Sequence, residues 1–184
     1  MLLGNLIKCS SKKYQKIFIK GIAFDSRKVK KGDIFFAIKG NKTSGNKFVY
    51  EALSKGASVI ISNKKVKYKE YKVPLVLVKN VREKLAEASS NFFKNKPRNI
   101  VAVTGTNGKS SVADFFYQIL KINKMHVASI GTLGIVSKNY RRKTNLTSID
   151  SLSLHKNLEI LAKKKINNVI LEASSHGLEQ RRLN

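Results

Sequence analysis

The chain has no tryptophan, two prolines and one cysteine among 184 residues. A lone thiol, Cys9, cannot close an internal disulfide, which suits a reducing, cytoplasmic setting. Cys9 reads as structural or incidental, not as a nucleophile. No apolar run approaches the ~20 residues that a membrane-spanning helix needs, so no membrane partner is expected. The opening Met1–Ile7 is apolar but lacks a basic start and a small-residue cleavage site, which argues against a secretory signal. Internal repeats and low-complexity tracts are also absent.

Acidic residues are scarce, 11 against 37 Lys and Arg, for a net charge of +26. Such a charge admits nucleic-acid binding through counterion release. However, the lysines run along the whole chain without forming one basic arm, and no aromatic-basic repeat of an RNA-reading module occurs. The preferred reading is a lysine-rich surface whose field steers small anions, with no nucleic-acid partner.

At 42% hydrophobic content, the sequence patterns as an α/β protein in two parts. Residues 1–97 form a small α/β unit with strands expected at Lys16–Lys20, Asp33–Ile38, Ser58–Ile61 and Leu75–Val78, the last two buried. One helix carries Phe48, Ala52 and Leu53 inward and stops at Gly56. Another carries Leu85, Ala88, Phe92 and Phe93. Lys94-Asn95-Lys96-Pro97 marks the boundary. Residues 98–184 then alternate strand and helix in the manner of a parallel sheet. Ile100–Val103 reads as a buried strand, followed by a helix with Val112, Phe115, Phe116, Ile119 and Leu120 on its packed face. The strand His126–Ile130, a helix with Leu154, Leu158 and Leu161 inward, and the strand Asn168–Glu172 follow. Three strands are few for such a sheet, so the chain reads as a fragment.

Between the first strand and helix of this half lies Gly105-Thr106-Asn107-Gly108-Lys109-Ser110-Ser111. Glycines let backbone N–H groups converge on one point, and the helix start adds a positive dipole end. A strand, a Gly-rich turn and a helix opening with Lys-Ser make a phosphate-binding arrangement, with ATP as the expected nucleotide. Lys109 would reach the β/γ-phosphates and the Ser110 hydroxyl would hold Mg²⁺. The general pattern places its first glycine at position 103, which here is Val103; Gly105 takes its place.

This displaced loop resembles that of the Mur ligase family. Asp25-Ser26-Arg27-Lys28-Val29, with Gly32-Asp33-Ile34-Phe35-Phe36-Ala37 and Gly40, resembles the N-terminal UDP-binding domain of the family members that act third and fourth in peptidoglycan precursor synthesis. Glu172-Ala173-Ser174-Ser175-His176-Gly177-Leu178-Glu179-Gln180-Arg181-Arg182 resembles a segment of the third. The resemblance implies a UDP-binding domain over 1–97 and a truncated P-loop ATPase domain over 98–184. It also implies an ATP- and Mg²⁺-dependent amide ligase, expected to be a monomer. That ligase would add a diamino acid or L-lysine to UDP-MurNAc-L-Ala-D-Glu through an acyl phosphate. Other Mur-type ligases, folylpolyglutamate synthetases among them, remain the alternative, with a basic nucleic-acid-binding P-loop protein behind them.

Residue by residue, the resemblance puts Phe24 and Ser26 at the uridine end and Asn41, Lys42 and Thr43 beside the pyrophosphate. Thr147 and Ser148 hold the muramoyl-peptide, in an element where Ile149 stands for the usual proline. Ser148 or Asp150 could equally cap the next helix. Lys109 and Glu172 are the catalytic candidates, with Glu172 and Ser110 as Mg²⁺ ligands. Ser174, Gln180 and Arg182 contact the substrate peptide, Arg182 suiting a carboxylate. Arg181 faces solvent, and His126, His155 and His176 read as structural. A carbamylated lysine, a further Mg²⁺-binding histidine and an amino-acid-binding domain lie beyond residue 184 in such proteins.

Overall fold

The computed structural model describes residues 1–8, 12–40, 43–67, 71–144 and 147–183. Two compact units divide the chain, Met1–Phe92 and Phe93–Asn184. Cys9, Asn41 and Lys42 lie outside the described residues.

The first unit contains α1 (Leu3–Leu6), α2 (Lys12–Gln15), β1 (Gly21–Ala23), β2 (Asp33–Phe36), α3 (Val49–Ser54), β3 (Val59–Ser62), β4 (Leu75–Leu77) and α4 (Val81–Phe92). Its strands form one parallel sheet in chain order. Every residue of the central β2 and β3 is buried, as continuous apolar runs in a doubly covered sheet require. β4 is an edge strand, and Leu77 is 49% exposed, so the expectation of a buried strand there fails. Nor is Lys16–Lys20 a strand. Phe18 makes only an isolated bridge to Leu2, and the ladder starts at Gly21, opposite Asp33. Glycine is a poor strand former, but a Cβ at Gly21 would fall against the Asp33 carboxylate. In α3 the buried residues are Val49, Ala52 and Leu53; Phe48 precedes the helix and is exposed. Gly56, at φ +89°, ends it as expected.

The second unit contains β5 (Asn99–Val103), α5 (Lys109–Ile122), β6 (Val127–Gly131), β7 (Gly134–Ser137), β8 (Tyr140–Arg142), α6 (Ser151–Lys163), β9 (Asn168–Glu172) and α7 (Ser175–Glu179). The sheet runs β5-β9-β6-β7-β8, parallel across the first three and antiparallel across the last three. Among the described residues five strands replace the expected three. β7 and β8 extend the sheet through two tight turns, Thr132-Leu133 and Lys138-Asn139. Leu154, Leu158 and Leu161 of α6 pack on Ala128, Ile130, Val169 and Leu171, as their spacing predicts.

The opposite holds for β5 and α5. β5 is the outer strand and is largely exposed, not buried. On α5, Ala113 and Tyr117 are buried and Phe116 and Leu120 partly so, while Val112, Phe115 (63% exposed) and Ile119 (58%) face outward. The helix is apolar on two faces, and its spacing alone does not say which one the sheet covers.

Phe115→Gln and Ile119→Lys should therefore each change the stability of this chain by no more than about 0.5 kcal/mol. Leu158→Ala should cost about 2–5 kcal/mol. Urea denaturation followed by circular dichroism distinguishes the two classes; a large loss at Phe115 would contradict the outward placement.

Candidate functional site

Parallel pairing brings the C-terminal ends of β5, β9 and β6 to one edge of the second unit's sheet, where open α/β sheets hold ligands. Val103 is in register with Glu172, so the loop that leaves β5 starts beside the last residue of β9. Gly105 (φ +153°) and Gly108 (φ +77°) shape that loop. At Gly108 a Cβ would meet nothing within 4 Å, so the glycine serves the left-handed backbone alone. Gly108 caps α5, and its carbonyl accepts from Val112 N at 2.9 Å. Thr106, Asn107 and Ser111 are exposed. The Lys109 ammonium folds back over the loop and donates to the carbonyls of Gly105 and Thr106.

Glu172 is only 4% exposed, so it is not a solvated strand end. Its Oε2 accepts from Ser110 Oγ at 2.8 Å and from Thr132 Oγ1 at 3.0 Å, and its Oε1 accepts from Thr132 N at 3.0 Å. Among the described residues no lysine, arginine or histidine pairs with it. An unpaired buried carboxylate costs several kcal/mol. Three hydrogen bonds to a charged acceptor return about 1.5–3 kcal/mol each, which roughly offsets that cost. A carboxylate flanked by hydroxyls is a hard-oxygen set that fits Mg²⁺. No cluster of three His, Cys, Asp or Glu occurs among the described residues, so this chain supplies one carboxylate and the rest of the shell would be hydroxyl, phosphate and water oxygens.

Thr132 was not among the residues singled out from the sequence. It occupies the two-residue turn between β6 and β7, and its hydroxyl also lies 3.1 Å from Thr147 Oγ1. The signal was the Gly-Thr-Leu-Gly turn itself, which goes unnoticed unless β7 is recognised. Gly131 beside it leaves room for the carboxylate, because a Cβ there would fall on Glu172.

Ser148 is buried and donates to Glu172 O at 3.0 Å while accepting from Ser174 N at 3.0 Å. Capping of α6 falls to Asp150, whose Oδ1 accepts from Ser153 N at 2.8 Å. Ser174 caps α7 through Gly177 N at 3.1 Å. Arg182 donates from Nη1 to Ser148 O at 2.8 Å and from Nη2 to Gln180 Oε1 at 2.7 Å. His176 Nε2 lies 2.6 Å from the Gln180 amide, and Arg181 is exposed. Thr147, Ser148, Ser174, Gln180 and Arg182 are thus tied to Glu172 by one hydrogen-bonded chain. A cavity of about 470 Å³ opens beside Ser110 and Glu172, with Arg141, Arg142 and Lys143 on its wall.

In the first unit, Ser26 is buried in a 3-10 turn and Phe24 is half-buried. Ser26 Oγ donates to Glu51 Oε2 at 2.6 Å, and Lys55 Nζ bridges Glu51 Oε1 (2.7 Å) and Ser26 O (3.2 Å). Asp25 caps the turn, accepting from Arg27 N at 3.1 Å. Thr43 is exposed, and its carbonyl accepts from Gly40 N at 2.9 Å in a tight turn.

Two family profiles match this chain: the Mur ligase middle domain over residues 103–184, and the Mur ligase family catalytic domain over residues 18–93. The chain belongs to the Mur ligase family. The UDP-N-acetylmuramoyl-L-alanyl-D-glutamate–2,6-diaminopimelate ligase of Rickettsia montanensis is 43% identical over 92% of this Mur ligase chain and 36% of the relative. The ligase of the same name from Rhizobium meliloti (strain 1021) is 43% identical over 91% and 34%. A solved structure of a ligase of that name superposes with a TM-score of 0.83 at 30% identity, covering 100% of this chain and 38% of the other. MurF ligase from Thermotoga maritima in complex with ADP gives a TM-score of 0.55 at 27% identity, over 86% and 33%. The chain spans about a third of the length of the curated relatives it matches.

Two outcomes are expected of the Mur ligase chain. Gly131→Ala should destabilise the second unit by about 1–3 kcal/mol through overpacking against Glu172, read by urea denaturation. The second concerns acid. Hydrogen bonds from Lys55 and then Ser26 hold the Glu51 carboxyl below its ordinary value, and the Arg27 guanidinium does the same for Asp25. Groups with lowered native values add stability above the unfolded value, about 4, and lose it as pH falls through the native one. Melting curves should show the gap between wild type and Glu51→Gln constant from pH 8 to 5 and closing below about pH 4. A gap that widened in acid would contradict the assignment.

Proposed function

We propose that this chain supplies the UDP-substrate and ATP-phosphate portions of an ATP-dependent amide ligase of peptidoglycan synthesis. The reaction joins diaminopimelate, or L-lysine, to UDP-MurNAc-L-Ala-D-Glu. The observation that carries this reading is the placement of Ser110 Oγ 2.8 Å from the buried Glu172 at the mouth of a phosphate-type loop. Relatives that bear the ligase name at 43% identity support it, as does the ADP in a 27%-identical neighbour.

A carboxylate is a poor electrophile, so one of its oxygens must first become a leaving group. In the proposed sequence, a substrate carboxylate oxygen attacks the γ-phosphorus of ATP, and ADP departs. The amine nitrogen then attacks the acyl carbon, loses a proton and expels inorganic phosphate. Glycines 105 and 108 open the loop's backbone to the phosphates. Lys109 exchanges its contacts with Gly105 and Thr106 for phosphate oxygens, offsetting the charge that develops on the transferred group. Ser110 and Glu172 would hold Mg²⁺, which when bound neutralises phosphate charge and orients the γ-phosphoryl group. Ser148, Ser174, Gln180 and Arg182 seat the substrate peptide. Phe24, Ser26 and the loop with Asn41, Lys42 and Thr43 take the uridine diphosphate, with residues 1–97 as its domain and 98–184 as the nucleotide domain.

The chain should bind Mg²⁺-ATP, and Lys109→Ala should weaken that binding about 10- to 100-fold, the loss of one or two charge-assisted hydrogen bonds. Binding of UDP-MurNAc-L-Ala-D-Glu should be unchanged. Isothermal titration with each ligand reads both; Mg²⁺-dependent ATP binding that survived the substitution intact would sink the loop assignment.

A further inference from the structure

At the far end of the same sheet from the phosphate loop, a cleft of about 640 Å³ collects Lys121, Lys124, Lys138 and Lys164. The turn between β7 and β8 forms one wall, and the C-terminal ends of α5 and α6 form the others. Among the described residues no carboxylate lines it, and Tyr117, Met125, Val127 and Ile166 give it an apolar floor. The cavity beside Ser110 carries Asp114 and Glu172 among its walls, and Tyr117 and Lys121 form a partition lining both. We infer that this cleft is a second anion site, one that takes a polyphosphate group.

Three observations support it beyond the general lysine richness of the surface. First, two of the four ammonium groups lie over aromatic rings and not against acids. Lys121 Nζ is 5.8 Å from the Tyr117 ring centre and Lys164 Nζ is 5.7 Å from that of Tyr140. A cation on a π-face keeps most of its charge available to an anion. Second, the balance of charge is favourable. Two helix C-termini contribute about −0.5 each, against four ammonium groups, leaving the cleft near +3. Third, lysine occupies two left-handed positions where glycine is the usual helix terminator: Lys124 (φ 58°) after α5 and Lys165 (φ 61°) after α6. Lys124 lines the cleft, and the Lys165 carbonyl lies 3.2 Å from His126 Nδ1, orienting a ring that also lines it. The strained backbone at Lys124 thus coincides with a donor facing the cleft, while that at Lys165 presents the acceptor that holds the His126 ring. Asn139 and Ser137 add neutral polar groups to the wall.

No carboxylate among the lining residues offers Mg²⁺ a ligand, so the metal-free anion is the species to test. The inference does not depend on the ligase reading. The test titrates the 184-residue chain carrying Lys109→Ala with inorganic tripolyphosphate and, separately, ATP, both in EDTA at about 0.15 M salt. One saturable site per chain is expected. Lys138→Gln with Lys164→Gln should weaken it at least about tenfold, while Lys138→Arg with Lys164→Arg should retain it. A control pair on α2, Lys12→Gln with Lys13→Gln, should have no effect. Tighter binding of ATP would identify a nucleotide as the occupant, and equal binding a free polyphosphate. Absence of a saturable site, or equal loss in the control pair, would overturn the inference. Thermal melting of each variant verifies folding, and the arginine pair keeps the result decisive if the glutamine pair is unstable.

Discussion

A single buried carboxylate organises the second unit. Glu172 ends β9 between two parallel neighbours, and burial there would cost several kcal/mol if its oxygens were left without donors. Thr132 and Ser110 satisfy it, and satisfying it sets where each of them must be. Thr132 reaches both oxygens only because a two-residue turn returns the chain from β6 to β7, and Gly131 must lack a side chain for the carboxylate to fit. Ser110 is the second residue of α5, so its bond to Glu172 ties the start of that helix, where it leaves the 105–108 loop, to the end of β9. The local rules of strand, turn and helix all meet at one oxygen pair.

Around it the polar residues are arranged in series. Ser148 holds the backbone carbonyl of Glu172, Ser174 holds Ser148, and Arg182 closes the chain onto the Ser148 carbonyl. Such a connected network resists small displacements, because moving one member breaks the bonds of the next. It accounts for hydroxyl residues at 148 and 174, where a packed apolar side chain would leave backbone groups unpaired. Charge in this unit is similarly sorted by place. Arg141 and Arg142 of β8 line the same cavity as the buried carboxylate, and Lys124, Lys138 and Lys164 line the cleft at the opposite end of the sheet.

Much of this was legible residue by residue. The loop 105–111, the burial of β3, the packed face of α6 and the stop at Gly56 follow from spacing and glycine chemistry alone. What misled was local ambiguity. Ile100–Val103 and the stripe through Val112, Phe115 and Ile119 carry the apolar signature of core, yet both lie outward in this chain, because spacing reports that a face is apolar and not what covers it. Lys16–Lys20 has strand composition, but pairing begins at Gly21, where a poor strand former is needed for the close approach of Asp33. β7 and β8 were missed because Gly134–Ser137 and Tyr140–Arg142 are too short to signal without their partners.

The sequence by itself determined the glycine-rich loop 105–111, the two-part α/β organisation and the Mur ligase resemblance, since each rests on residues adjacent in the chain. Only the tertiary structure decided that Glu172 is buried, that Thr132 completes its hydrogen bonds, and that four lysines share one cleft. Those facts depend on strand order and helix rotation. Both are set by the total packing of the sheet, and no short window of sequence contains it.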